Sequence, residues 1–114
     1  MITINGVDPN MIANNLTPAF PTHPGEVLKE EIEYRGISQT KLAKQMCMSY
    51  KALNDILNCR RPLTASTAMM FEAALGVSAE TLMRMQLRYN MQKTSADKTF
   101  MARLKKIREY AAVL

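Results

Sequence analysis

The residues best equipped for chemistry stand together between Ser38 and Arg61. Tyr50, Lys51, Asn54, Asp55 and Asn58 are interleaved with apolar Leu53, Ile56 and Leu57, and Arg60 and Arg61 follow at once. A Lys ammonium donates to guanine O6 or N7, and an Asn carboxamide pairs bidentately with adenine. Arginine and serine side chains suit phosphate oxygens, contacts that fix register without reading sequence. This is the chemistry of binding rather than of bond making. The chain offers no phosphate-cradling glycine loop and no nucleophile spaced to meet a base, so no enzyme is expected. His23, the single histidine, reads as a turn residue. Cys47 and Cys59, without a nearby histidine, make a poor zinc site. In a reducing compartment they are expected as free thiols. No metal and no cofactor is expected.

Side chains that read a nucleic acid need a rigid support. Leu42, Ala43 and Met46 recur at the spacing of one helix face, and Leu53, Ile56 and Leu57 do the same. Ser38 and Ser49 each precede one of these segments, where a hydroxyl can accept from an unpaired amide of the first turn. The pattern predicts a helix-turn-helix, with a first helix at Ser38–Met46 and a recognition helix at Ser49–Asn58. Tyr50, Lys51 and Asn54 then lie deepest in a major groove and are expected to contact bases. Tyr50 either packs on a thymine methyl or reaches a phosphate. Asp55 either accepts from cytosine or orients Lys51. Ser49, Arg60 and Arg61 are expected on the sugar-phosphate backbone.

The run Ser38-Gln39, Leu42-Ala43, Ser49, Leu53, Ile56-Leu57-Asn58 and Arg60-Arg61 resembles the helix-turn-helix of phage-repressor-like (XRE) regulators. A longer frame adds His23-Pro24-Gly25-Glu26-Val27-Leu28, Arg61-Pro62-Leu63-Thr64, Ala74-Leu75-Gly76-Val77-Ser78 and Leu87-Arg88-Tyr89-Asn90. Together these resemble HigA-type antitoxins. The resemblance implies an all-α, five-helix lambda/434-repressor-like DNA-binding domain. It also implies double-stranded operator DNA as a partner, a homodimer, repression of the protein's own operon and a HigB-like ribonuclease toxin to neutralise. In that family a Gln placed like Gln39 bonds a backbone phosphate, and free amides at the same helix start would help to hold the anion. The family usually has Gly where Cys47 and Cys59 stand. A side chain in a left-handed conformation there costs on the order of 1 kcal/mol.

The remaining elements follow from caps and spacing. Pro24 opens a helix whose face is Val27, Leu28 and Ile32 and which Gly36 ends. Thr64 is expected to cap Ala65–Leu75, with Ala68, Met69, Phe71 and Leu75 as core candidates. Ser78 caps a helix from Ala79 to about Gln92, with Leu82, Met85, the Gln86 stem and Tyr89 along one side. A last helix, capped by Ser95, carries the stripe Phe100, Leu104, Ile107, Ala111 and Leu114. That stripe either packs back on the domain or forms a dimer or toxin interface. Residues 1–22, with Pro9, Pro18 and Pro21, are expected as an N-terminal arm with a short strand at Met1–Ile4 and helical turns at Pro9–Leu16. The arm is either loosely attached or packs on a dimer mate or toxin. The organisation is thus an arm at 1–22, the DNA-binding domain at 23–93 and a C-terminal helix at 94–114.

The chain's 114 residues suffice for one domain with a modest core. Its net charge of +5 suits a polyanion, and the placement is more telling than the sum. Residues 1–28 hold no Lys or Arg, whereas Lys41, Lys44, Lys51, Arg60 and Arg61 face the single acid Asp55 within the motif. Lys-rich helix faces are also commonly just solvated; their coincidence with the motif favours DNA. No apolar run approaches a membrane span and no signal-peptide layout opens the chain, so a cytoplasmic protein without membrane contact is expected. Two other readings are a stand-alone phage-like repressor without a toxin and a protein-interaction module with a vestigial helix-turn-helix.

Overall fold

The computed structural model describes residues 22–114. The strand and helical turns expected in the arm lie outside the described residues. Six helices make up the rest, and no strand occurs among the described residues. They are α1 (Pro24–Arg35), α2 (Gln39–Gln45), α3 (Tyr50–Leu57), α4 (Ala65–Leu75), α5 (Ala79–Ser95) and α6 (Lys98–Ala111). Five form the all-α domain that was expected, and α6 is the additional C-terminal helix.

Each helix starts where a side chain takes up an orphan amide. The hydroxyls of Ser38, Ser49, Thr64 and Ser78 accept from the backbone N–H of Lys41, Ala52, Thr67 and Thr81. Such a cap contributes about 1 kcal/mol. Gly36 ends α1 and Gly76 ends α4 at φ 68° and 76°, a region that a residue without Cβ enters at no steric cost.

One core joins the first five helices. Leu28 and Ile32 of α1, Leu42 and Ala43 of α2, and Leu53, Ile56 and Leu57 of α3 are buried with Ala68, Phe71, Leu75 and Leu82. Met46 and Leu63 of the connections join them. Burying a side chain of this size contributes about 1.5–3 kcal/mol. Truncating Leu53, which is fully buried, to Ala is expected to cost about 2–5 kcal/mol and to loosen α3 directly. Contact between α1 and α3 is close. A methyl group on Gly25 would collide with the carbonyl oxygen of Ile56, so only glycine lets α1 start there.

Some expectations are corrected. Val27 flanks the buried stripe of α1 instead of joining it, and Met69 lies on the outer side of α4 at 64% exposure. Short helices on a small core bury a narrow stripe, and both residues sit one position off it. α5 runs on to Ser95, past Gln92. Ser95 is therefore its last residue and not the cap of α6; the Asp97 carboxylate accepts from Phe100 N–H in that role. α6 buries no residue and packs mainly along α5.

Candidate nucleic-acid interface

α2 and α3 present one polar surface. Tyr50 and Lys51 open α3 and both project outward, the Lys51 side chain being 81% exposed. Lys51 and the other polar side chains of α3 expected to face outward are tied into a network. Asn54 donates from Nδ2 to Oε1 of Gln39 at 3.0 Å, across the motif from α3 to the first residue of α2. Its Oδ1 accepts from Nη2 of Arg60 at 2.8 Å. Arg60 also donates from Nε to Oδ1 of Asp55 at 3.1 Å, and Lys51 donates from Nζ to Oδ2 of Asp55 at 3.2 Å. Arg61 stands 3.8 Å from the same carboxylate. Gln39, Asn54, Arg60, Asp55 and Lys51 thus form an unbroken chain of polar contacts.

Asp55 is the anchor of this chain. Its side chain is only 11% exposed, because α3 turns it toward the loop at Arg60. The hydrogen bond from Lys51, joined by that from Arg60 and opposed by burial, holds its carboxyl below the usual carboxylate range. Of the two expectations for Asp55, the geometry matches the one in which it orients Lys51. Ser49 carries the cap of α3, so its hydroxyl already accepts one amide.

One further residue, Lys29, shapes the surface without having been expected there, through Asn58 at the end of α3. Lys29 of α1 donates to Oδ1 of Asn58 at 3.0 Å, and Asn58 donates from Nδ2 to the carbonyl of Asn54 at 2.9 Å. This fixes the end of α3 against α1. The available signal was Lys29 itself, a base among the four glutamates of α1.

His23 is more than a turn residue. It is 3% exposed, and its Nδ1 accepts from Gly25 N–H at 2.8 Å, capping α1. Its ring meets Tyr89 of α5 edge-on, with centroids 4.9 Å apart. Burial pushes the imidazole below its ordinary value, against a hydrogen bond to the Arg61 backbone that raises it. Cys47 in the turn between α2 and α3, and Cys59 after α3, both take positive φ, 55° and 63°. Both are free thiols, and burial pushes that of Cys59 up.

Among the described residues no group of His, Cys, Asp and Glu is placed to hold a metal ion, and no helix is long and apolar enough to cross a membrane.

A family model described as helix-turn-helix matches residues 28–82, which run from α1 to the start of α5. Virulence-associated protein I of Dichelobacter nodosus is 35% identical over 85 residues, 74% of this chain and 77% of that protein. An addiction module antidote protein of a HigA family from Coxiella burnetii is 30% identical with a TM-score of 0.66, over 79% of this chain and 94% of that one. The Pseudomonas aeruginosa antitoxin HigA, solved with the higBA promoter, is 29% identical with a TM-score of 0.63, over 78% and 92% of the two chains.

Proposed function

The chain belongs to the helix-turn-helix family and, within it, to the HigA-type antitoxins, and from that footing we propose that it is a sequence-specific DNA-binding repressor of its own operon. The observation that carries this reading is the surface of α3. Tyr50 and Lys51 are exposed to a groove, Lys51 held in place by Asp55, while Asn54 and Arg60 are locked beside them in the same network. Locked side chains lose little freedom on binding, so their contacts are gained at low entropic cost. Tyr50, Lys51 and Asn54 read bases; Gln39, Ser49 and Arg61 hold phosphates; Asp55 and Arg60 position Lys51 and Asn54.

A homodimer sets two copies of α3 in successive major grooves of a palindromic operator, about 34 Å apart. The outer stripe of α6, where Ile107 and Tyr110 are exposed, supplies apolar area for the second copy or for a HigB-like toxin whose neutralisation is the protein's other role.

Gel-shift titrations on operator and random duplexes test the reading. Lys51→Ala is expected to cost about 1–3 kcal/mol on the operator and to relax preference at one base pair. Arg61→Ala is expected to weaken all duplexes alike. Equal losses for both variants on both duplexes would remove the base-reading assignment.

A further inference from the structure

Next to the recognition surface lies a recess of about 240 Å³ that the motif does not account for. Arg60 and Arg61 of the loop after α3, Tyr89, Asn90 and Lys93 of α5, and the buried His23 line it together. No acidic residue occurs among the described residues that line it. We propose that this recess is a seat for a phosphate of the DNA backbone, extending the contact surface from the helix-turn-helix onto α5. The proposal rests on the DNA-binding reading above and assigns Asn90 and Lys93 to it.

Asn90 is oriented from a buried backbone amide. Leu63 N–H donates to Oε1 of Gln86 at 2.8 Å, and Gln86 is only 3% exposed. A backbone N–H can meet only the oxygen of that carboxamide, so the Gln86 amide cannot be the other way round. Its Nε2 must therefore point onward, and it donates to Oδ1 of Asn90 at 2.9 Å. With its oxygen engaged, Asn90 keeps its NH2 as the remaining donor, on an exposed residue that lines the recess. The order of these bonds is set from inside the core and ends in two N–H groups beside three cations.

Lys93 complements it. Its Nζ lies 5.7 Å from the centroid of the Tyr89 ring, which steadies the ammonium at the rim without neutralising it. Arg61, at 3.8 Å from Asp55, makes a looser pair than Arg60 does and keeps donors for an incoming anion. A neutral His23 adds no charge to this arrangement. A phosphodiester oxygen would thus meet the NH2 of Asn90 and the charges of Lys93 and Arg61 together. Duplex DNA is the source this favours, because the recess adjoins the side chains that face the groove.

The test compares Lys93→Ala and Asn90→Asp with Lys51→Ala in anisotropy titrations across a range of salt. Asn90→Asp keeps an oxygen for Gln86 to donate to, so the relay survives while the remaining donor becomes an anion. Lys93→Ala is expected to weaken operator and random duplex alike, roughly three- to tenfold. It should also make the slope of log K against log salt shallower by about 0.9, one phosphate's worth. Asn90→Asp is expected to weaken both duplexes more strongly. Inorganic phosphate at millimolar concentration should compete only weakly, as an isolated ion gains nothing from neighbouring contacts. If Lys93→Ala and Asn90→Asp match the parent in affinity and slope while Lys51→Ala still loses operator binding, the seat is wrong and the repressor reading stands. If the parent protein shows no salt-dependent duplex binding at all, both fall.

Discussion

Gln39 and Asn54 are joined amide to amide across the helix-turn-helix, Nδ2 of Asn54 donating to Oε1 of Gln39 at 3.0 Å. A carboxamide has two N–H donors and an oxygen with two lone pairs. Gln39 uses one donor of Asn54 and Arg60 uses one lone pair. What remains is one donor and one acceptor, the pair needed to recognise adenine in the major groove. Gln39→Ala should therefore reduce discrimination at one A·T position by about 1 kcal/mol or more, while shifting unfolding stability by no more than about 1 kcal/mol. Operator variants with that base pair replaced, titrated against both proteins, check this. Unchanged discrimination with a uniform loss of affinity would mean that Gln39 acts only on the backbone.

Asp55 offers a test in which two mechanisms predict opposite signs. If it were simply a negative charge near DNA, Asp55→Asn should strengthen binding by lowering repulsion. As the group that holds Lys51 and Arg60 in place, its neutralisation should instead weaken operator binding and lower the melting temperature. Its folded-state carboxyl lies below the unfolded value of 3.8. The stability that it contributes is thus present above that value and lost as pH falls through the depressed one. Urea unfolding of the parent and Asp55→Asn across the acid range should show a flatter acid limb in the variant.

Much of this was legible in the chain because local signals agreed with one another. Ser38, Ser49, Thr64 and Ser78 cap the helices they were expected to cap, and the apolar spacing of Leu42, Ala43, Leu53, Ile56 and Leu57 marked the buried faces. What spacing cannot convey is which neighbour a polar side chain meets. Asp55 lies on the polar side of α3 by periodicity, yet Arg60, from the loop beyond, folds back to it. His23 looked idle because Tyr89 in α5 reaches it only through tertiary packing, and its local cap on Gly25, two residues on, is made by an imidazole where a hydroxyl or carboxylate is the usual signal. The cap of α6 was misplaced for a different reason. Ser95 and Asp97 are both good capping residues, and the length of α5 decided between them.

Cys47 and Cys59 carry backbone strain that glycine would relieve. Both hold positive φ, which costs a residue with a Cβ about 1 kcal/mol or more. Cys47 is exposed, so replacing it by Gly loses little packing and should stabilise the fold by about 0.5–1 kcal/mol. Cys59 is half-buried, and Cys59→Gly should gain less because the thiol's contacts go with it. Chemical denaturation of the two variants measures the difference. A thiol reagent should modify Cys47 well before Cys59, whose thiol is both shielded and pushed up by burial.

His23 ties the start of α1 to the loop that carries Arg61, and it does so only when neutral. Nδ1 accepts from Gly25 N–H, so the ring proton must reside on Nε2. Protonation would put a second donor against that amide and bring a charge into a site that is 3% exposed. Burial accordingly lowers the folded-state value below the ordinary 6.5. Because the unfolded chain takes up the proton first, stability is fully present above 6.5 and falls as pH drops below it. His23→Asn keeps an acceptor for the cap but does not titrate. It should cost up to about 1 kcal/mol at neutral pH through the lost contact with Tyr89 and remove the slope just below 6.5. Unfolding curves at closely spaced pH values, with nitrogen NMR of the imidazole to identify the Nε2–H tautomer, check both halves. A stability profile for the parent that is flat through this range, or a proton found on Nδ1, would mean that His23 does not cap α1 in solution.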